Sequence, residues 1–155
     1  MMNLKDNLLI IVGPTSIGKS SIAVELAKLL NGEVISADSM QIYKHMDIGT
    51  AKVTTTEMDG IAHHMVGVID PDEDFTVSDY KHGAMDHIRR INRKGKLPIV
   101  VGGTGLYINS LIYDLNFAEI APNDGLRRSY EEQVEEFGNE YLHNKLALID
   151  PVSAE

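Results

Sequence analysis

Eight consecutive residues, Gly13, Pro14, Thr15, Ser16, Ile17, Gly18, Lys19 and Ser20, match G-x-x-x-x-G-K-[ST] and stand between an apolar run and a helical pattern. Leu8 to Val12 predicts a buried parallel strand. Ser21 to Leu30 predicts a helix, because Ile22, Ala23, Leu26, Ala27, Leu29 and Leu30 recur at helical spacing. A strand that turns through glycines into a helix cradles an anion: backbone N–H groups and the helix N-terminus direct partial positive charge at one spot, and Lys19 adds a full charge. The expected ligand is a di- or triphosphate, that of ATP among them, with Ser20 as a ligand to Mg²⁺. The loop alone does not choose among them.

The rest of the chain supplies the sheet around that loop. Asn31-Gly32 predicts a helix stop, and Glu33 to Ala37 a second strand ending at Asp38. Residues 39–62 are polar and loop-rich, His63 to Ile69 is a third extended candidate, and the acidic, proline-containing stretch Asp70 to Asp74 is a turn. A helix carrying Val77, Tyr80, Ala84, Ile88 and Ile91 on its apolar side ends at Gly95. Leu97 to Val101 follows as a strand, and Gly102-Gly103-Thr104-Gly105 turns it into a helix from Leu106 to Tyr113. Alternating strands and helices predict an α/β fold, a parallel sheet flanked by helices with right-handed crossovers. From Asn116 the sequence turns acidic and helical, with helices expected at 126–137 and 141–149, so the expected domains are 1–115 and 116–155. Asp150-Pro151 has the form of a helix start about one turn before Glu155, which suggests that the chain is part of a longer protein.

Composition narrows the functional classes. The 155 residues are 43% hydrophobic and contain no cysteine, which excludes disulfides and thiolate metal sites. No apolar stretch approaches membrane-spanning length, and Met1 to Asn7 lacks a signal peptide's apolar region, so a cytoplasmic protein is expected. The net charge is −9, and residues 116–155 hold three Lys/Arg against nine Asp/Glu. That balance argues against a broad electrostatic footprint for nucleic acid, leaving room only for a local basic groove or for residues outside this chain.

Ligands of parallel sheets collect beyond the carboxyl ends of the strands, so residues 13–20, 38–41 and 102–105 should meet at one cleft. Asp38 would there accept a proton or bind Mg²⁺ through water, or it would cap a turn; spacing does not decide. Glycines 102, 103 and 105 fit close ligand approach and plain packing equally well. His63 and His64 point to opposite faces of a strand, which favours structural roles over shared metal coordination. Met65 to Asp70 only superficially resembles an apolar strand ending in a metal-binding aspartate, and the strand before Gly102 ends without an acid. Nothing plainly positions an attacking water, so the loop would suit a leaving diphosphate.

Taken in order, residues 13–20, Ile-Ser-Ala-Asp-Ser-Met-Gln-Ile-Tyr (35–43), Met-Asp-Ile-Gly-Thr-Ala-Lys (46–52), His63-His64, Asp70-Pro71 and Gly-Gly-Thr-Gly-Leu-Tyr (102–107) resemble the tRNA dimethylallyltransferase family. Residues 8 to about 115 resemble its P-loop NTPase-like core, and the remainder resembles the start of a helical tRNA-binding insert. Ile17, Val53 and Ala62 depart from the common pattern without removing a catalytic group. The resemblance implies transfer of a dimethylallyl group from dimethylallyl diphosphate to the exocyclic amine of an adenine beside the anticodon of tRNA, with no obligate protein partner. It implies Asp38 as proton acceptor and Thr104 as hydrogen-bond donor to the bridging oxygen. It implies residues 13–20 with Mg²⁺ on the diphosphate, and Ser39, Met40 and Gln41 on an extruded base. Alternatives are an adenylate isopentenyltransferase acting on a free adenine nucleotide, a small-molecule kinase using ATP, and a non-catalytic nucleotide-binding module.

Overall fold

The computed structural model describes residues 7–113, 115 and 123–155. The N-terminal residues 1–6 and the expected domain junction at 116 lie outside the described residues. Four parallel strands form one sheet in the order β1-β4-β2-β3, comprising β1 (Leu9–Val12), β2 (Gly32–Ala37), β3 (His63–His64) and β4 (Leu97–Gly102). Chain clustering gives two compact units, Met1–Phe117 and Ala118–Glu155.

Helix α1 (Lys19–Leu29) starts two residues before the sequence pattern suggests, because Gly18 takes a left-handed conformation (φ 85°) and its carbonyl accepts from Ile22 N. The helix buries Ala23, Val24 and Ala27. These small side chains let it lie close on the sheet, where Ala23 and Ala27 pack with Val34, Ile99 and Val101. Helix α3 (Val77–Arg93) opens with a capping box between Thr76 and Asp79 and covers the other face. Its buried Tyr80, Ala84, Ile88 and Ile91 follow an i, i+4, i+8, i+11 spacing and meet Ile35, Ala37 and Val100. Helix α4 (Gly105–Ile112) adds Tyr107, Ile108 and Leu111 to that layer, with the Tyr80 and Tyr107 rings stacked at 4.0 Å. Strand periodicity therefore writes both cores: 34, 99 and 101 look toward α1, 35 and 100 toward α3.

Two segments depart from expectation. Only His63 and His64 pair with β2, because Met65 (φ 60°) and Gly67 (φ 58°) turn the chain out of the sheet. Gly67 N and Val68 N then bond to the carbonyls of Gln41 and Ile42, and Ile69 bridges Tyr43. Within the expected loop, a one-turn helix α2 (Thr55–Met58) forms behind a Thr54–Glu57 capping box.

The second unit holds α5 (Asp124–Phe137) and α6 (Asn139–Ile149), joined at Gly138. Asn123 caps α5 by accepting from Leu126 N, the Phe137 and Tyr141 rings lie 5.0 Å apart, and Lys145 Nζ donates to Gln133. Asp150 caps a final turn through Ser153 N rather than a further helix.

Candidate active site

The phosphate loop is held by left-handed backbone at Gly13 (φ 152°), Ser16 (φ 64°) and Gly18. The Lys19 ammonium donates to the Pro14 carbonyl, so the loop's cation is folded against its own backbone. Next to it opens a cavity of about 280 Å³ whose wall includes Lys19, Ser20, Asp38, Gln41, His63 and Gly103. Thr15, Ser16 and Gly18 belong to the same wall, and Gly13 and Pro14 line a neighbouring groove with Gly103. Side chains and backbone from all three strand ends thus reach one space. Ser39, Met40, Ile17 and Thr104 do not line that cavity.

Asp38 both caps a turn and faces the cavity. Its Oδ1 accepts from Met40 N (2.9 Å) and Gln41 N (3.3 Å), whereas Oδ2 has no hydrogen bond among the described residues. One oxygen fixes the carboxylate and the other is left for a ligand. Thr104 is tied to the same turn. Its N–H donates to the Ala37 carbonyl, its Oγ1 accepts from Ser39 N (3.0 Å), and Ser39 Oγ lies 3.3 Å away. Burial first, and then the Tyr43, Asp38 and Asp79 charges, push up the pKa of the Tyr107 phenol behind it.

Gly102 settles part of the ambiguity over the glycine-rich turn. A Cβ there would stand 2.1 Å from the Ala37 carbonyl oxygen, so that glycine is required by the approach of β4 to β2, while Gly105 faces open space. Gly103 contributes to the cavity wall itself.

Three contributors were not evident in the sequence. His63 is on the cavity wall, where its register partner Val34 also lies. Its Nδ1 sits 2.9 Å from the Ile61 carbonyl, and burial, opposed by that bond and reinforced by His64, lowers its pKa. The ring is therefore neutral near pH 7, with Nδ1–H donating to Ile61 and Nε2 an acceptor. Thr50, Ala51 and Val53 bring a second wall from the polar loop. That loop is stapled by Lys52, 9% exposed, whose ammonium donates to the Tyr43 carbonyl and Asp47 (both 2.6 Å), and by Gln41 Nε2 donating to the Ala51 carbonyl.

His64 turns the other way, as alternation requires. Its Nε2 meets Glu33 Oε2 at 2.8 Å and its ring lies against His87. Lys94 and Lys96 also donate to Glu33, at 3.1 and 2.9 Å, forming an ionic cluster at the amino end of β2, remote from the cavity. Among the described residues, no group of three or more His, Cys, Asp or Glu could hold a metal ion, and no helix is long and apolar enough to cross a membrane.

The family model described as IPP transferase matches residues 41–155. The chain belongs to the IPP transferase family. It is 57% identical over 150 residues to a tRNA dimethylallyltransferase of Acetivibrio thermocellus and 55% identical over 151 residues to one of Alkaliphilus oremlandii. Each match takes in 97% of this chain and 48% of the relative, so the chain spans about half the length of the curated relatives it matches. Among solved structures, the full-length tRNA isopentenylpyrophosphate transferase of Bacillus halodurans superposes with a TM-score of 0.73 at 49% identity, covering 97% of this chain and 50% of that one. A eukaryotic dimethylallyltransferase acting on tRNA gives a TM-score of 0.81 at 34% identity, covering 96% and 37%. The parallel sheet and its flanking helices are thus the P-loop NTPase-like fold of these family members. The phosphate loop and Asp38 precede the segment that the family model matches, and the full-chain relatives cover them.

Proposed function

We propose that the protein transfers a dimethylallyl group from dimethylallyl diphosphate to the exocyclic amine of an adenine next to the anticodon of tRNA, acting in the cytoplasm. The observation that carries this is the shared cavity: an anion loop and a half-engaged carboxylate open onto the same 280 Å³. A kinase reading would need the loop to present ATP. Here the loop binds the diphosphate that departs, so charge builds up where Lys19 and the backbone N–H groups already point.

The amine nitrogen attacks the allylic carbon, the bond from that carbon to the bridging oxygen breaks, and diphosphate leaves with the electron pair. The amine's surplus proton passes to Asp38 Oδ2, since Oδ1 is held by Met40 N and Gln41 N. Thr104 serves the bridging oxygen by turning its hydroxyl proton away from Ser39 Oγ, while Ser39 N keeps the side chain oriented. Gln41, with Ser39 and Met40, receives the adenine, which an anticodon loop can extrude at less cost than a duplex. Ser20 is suited to Mg²⁺, which needs few protein ligands when phosphate oxygens and water complete its shell. When bound there, the ion would neutralise charge on the diphosphate. We assign residues 1–115 to the catalytic core and 116–155 to the beginning of a helical insert that contacts tRNA.

The test is transfer of labelled dimethylallyl to an anticodon stem-loop RNA, with AMP as competing acceptor, in this chain and in its fusion to the second half of the Acetivibrio thermocellus relative. Asp38→Asn should lower kcat by about 10²–10⁴-fold with diphosphate binding preserved. Undiminished kcat would remove Asp38 from the mechanism, and transfer to AMP alone would replace the substrate.

A further inference from the structure

Strand β1 is built as an interior strand yet has a neighbour on one side only. It pairs with β4 through Leu9↔Ile99 to Val12↔Gly102, and no described strand lies along its other edge. The run Leu8-Leu9-Ile10-Ile11-Val12 carries no charge and no proline. Continuous apolar sequence of this kind belongs to parallel strands buried on both faces and paired on both sides, whereas exposed edges are usually protected by lysine, proline or a bulge.

The uncovered edge continues into an apolar groove of about 590 Å³ between β1 and α4, lined by Ile10, Val12, Ile108 and Ile112 and floored by Gly13 and Gly103. Val12 is 58% exposed and Ile112 52%. The topology points the same way. In open parallel sheets the ligand crevice forms where strand order reverses, with strands on both sides of the one that delivers the loop. Here the strand before the phosphate loop stands at the end of the order, and the second unit is helical.

We propose that this edge and groove receive a parallel strand and its following helix from the half of the family's polypeptide that this chain does not span. The occupant is argued from length: the relatives that match 97% of this chain continue for as much again. A second copy of β1 fits less well, since a two-fold axis would pair the edges antiparallel and send the two phosphate loops to opposite ends. Because Gly13 and Gly103 border both the groove and the loop, the incoming strand would end beside the anion site and complete its second wall.

The experiment mixes the 155-residue chain with the second half of the Acetivibrio thermocellus relative as a separate polypeptide, and reads amide exchange at residues 9–12 and the binding isotherm. Exchange of the β1 amides should slow by about tenfold or more on mixing. Ile112→Asp, on the exposed rim of the groove, should weaken association by about tenfold or more, while Leu29→Asp, on the opposite layer and 78% exposed, should not. Thermal melts of both variants verify that each is folded. Unchanged β1 exchange on mixing, equal binding by the two variants, or β1 protection already present in a self-associated dimer by sedimentation would each overturn the proposal. None of these readouts requires prenyl transfer, so a failure of the reaction assignment is seen separately.

Discussion

Glu33→Gln, measured across pH, tests whether the ionic cluster at the foot of β2 stabilises the fold. Glu33 is 3% exposed. Burial by itself pushes its carboxyl pKa up, but hydrogen bonds from His64, Lys96 and Lys94 outweigh that and bring it from 4.5 to about 2. A change of that size corresponds to about 3 kcal/mol. Lys94 and Lys96 are 46% and 37% exposed, and solvent screening of their charges reduces the contribution to on the order of 1–2 kcal/mol. Because the folded pKa lies below the unfolded one, the unfolded chain binds more protons between these values. The stabilisation is complete above about pH 4.5 and is lost as the pH falls toward 2. His87, lowered to about 4 by burial and then by His64 and Arg90, adds a separate loss as the pH falls from 6.5 toward 4, which both proteins share. Urea unfolding at neutral pH and near pH 3 should give a wild-type advantage that shrinks by on the order of 1–2 kcal/mol in acid. A wild-type advantage equal at both pH values would refute the argument.

Two further substitutions probe the site's scaffold. Gly102→Ala drives a methyl into the Ala37 carbonyl and should cost about 3 kcal/mol, seen as a lowered urea midpoint, whereas Gly105→Ala meets open space and should leave it unchanged. Lys52→Met keeps the side chain's length but leaves the Tyr43 carbonyl without its donor, so about 1–3 kcal/mol of stability should go. Limited proteolysis should then cut within residues 43–53 faster than in the parent chain.

The elements legible in the sequence are those whose pattern is local. Leu9 to Val12, the helix after Lys19 and the Tyr80–Ile91 stripe each announce a buried face within one segment, so long-range context was not needed. The stretch 63–69 was apolar enough to pass for a strand, but Met65 and Gly67 adopt left-handed backbone and hand their neighbours to residues 41–43. Periodicity has no means of registering that exchange of partner. The Thr54–Glu57 box was written in the sequence and went unread because no apolar run follows it. His63 and the Glu33 cluster depend on register, which joins residues 33, 64, 94 and 96 from separate segments. Asp38 and Thr104 could be named from motif and resemblance. The hydrogen bond from Ser39 N that couples their turns could not.

Strand β2 sends Val34, Ser36 and Asp38 to the cavity, and Ile35 and Ala37 to the α3 core. Gaining or losing a single amino acid between 33 and 37 would exchange the two sets, pressing serine and a carboxylate into hydrocarbon while turning isoleucine toward the anion. Family members can therefore drift in the chemistry of individual positions here, but insertions and deletions are barred from this stretch. The spacing from Gly32 to Asp38 acts as a fixed ruler laid between the packing of the molecule and its reactive centre.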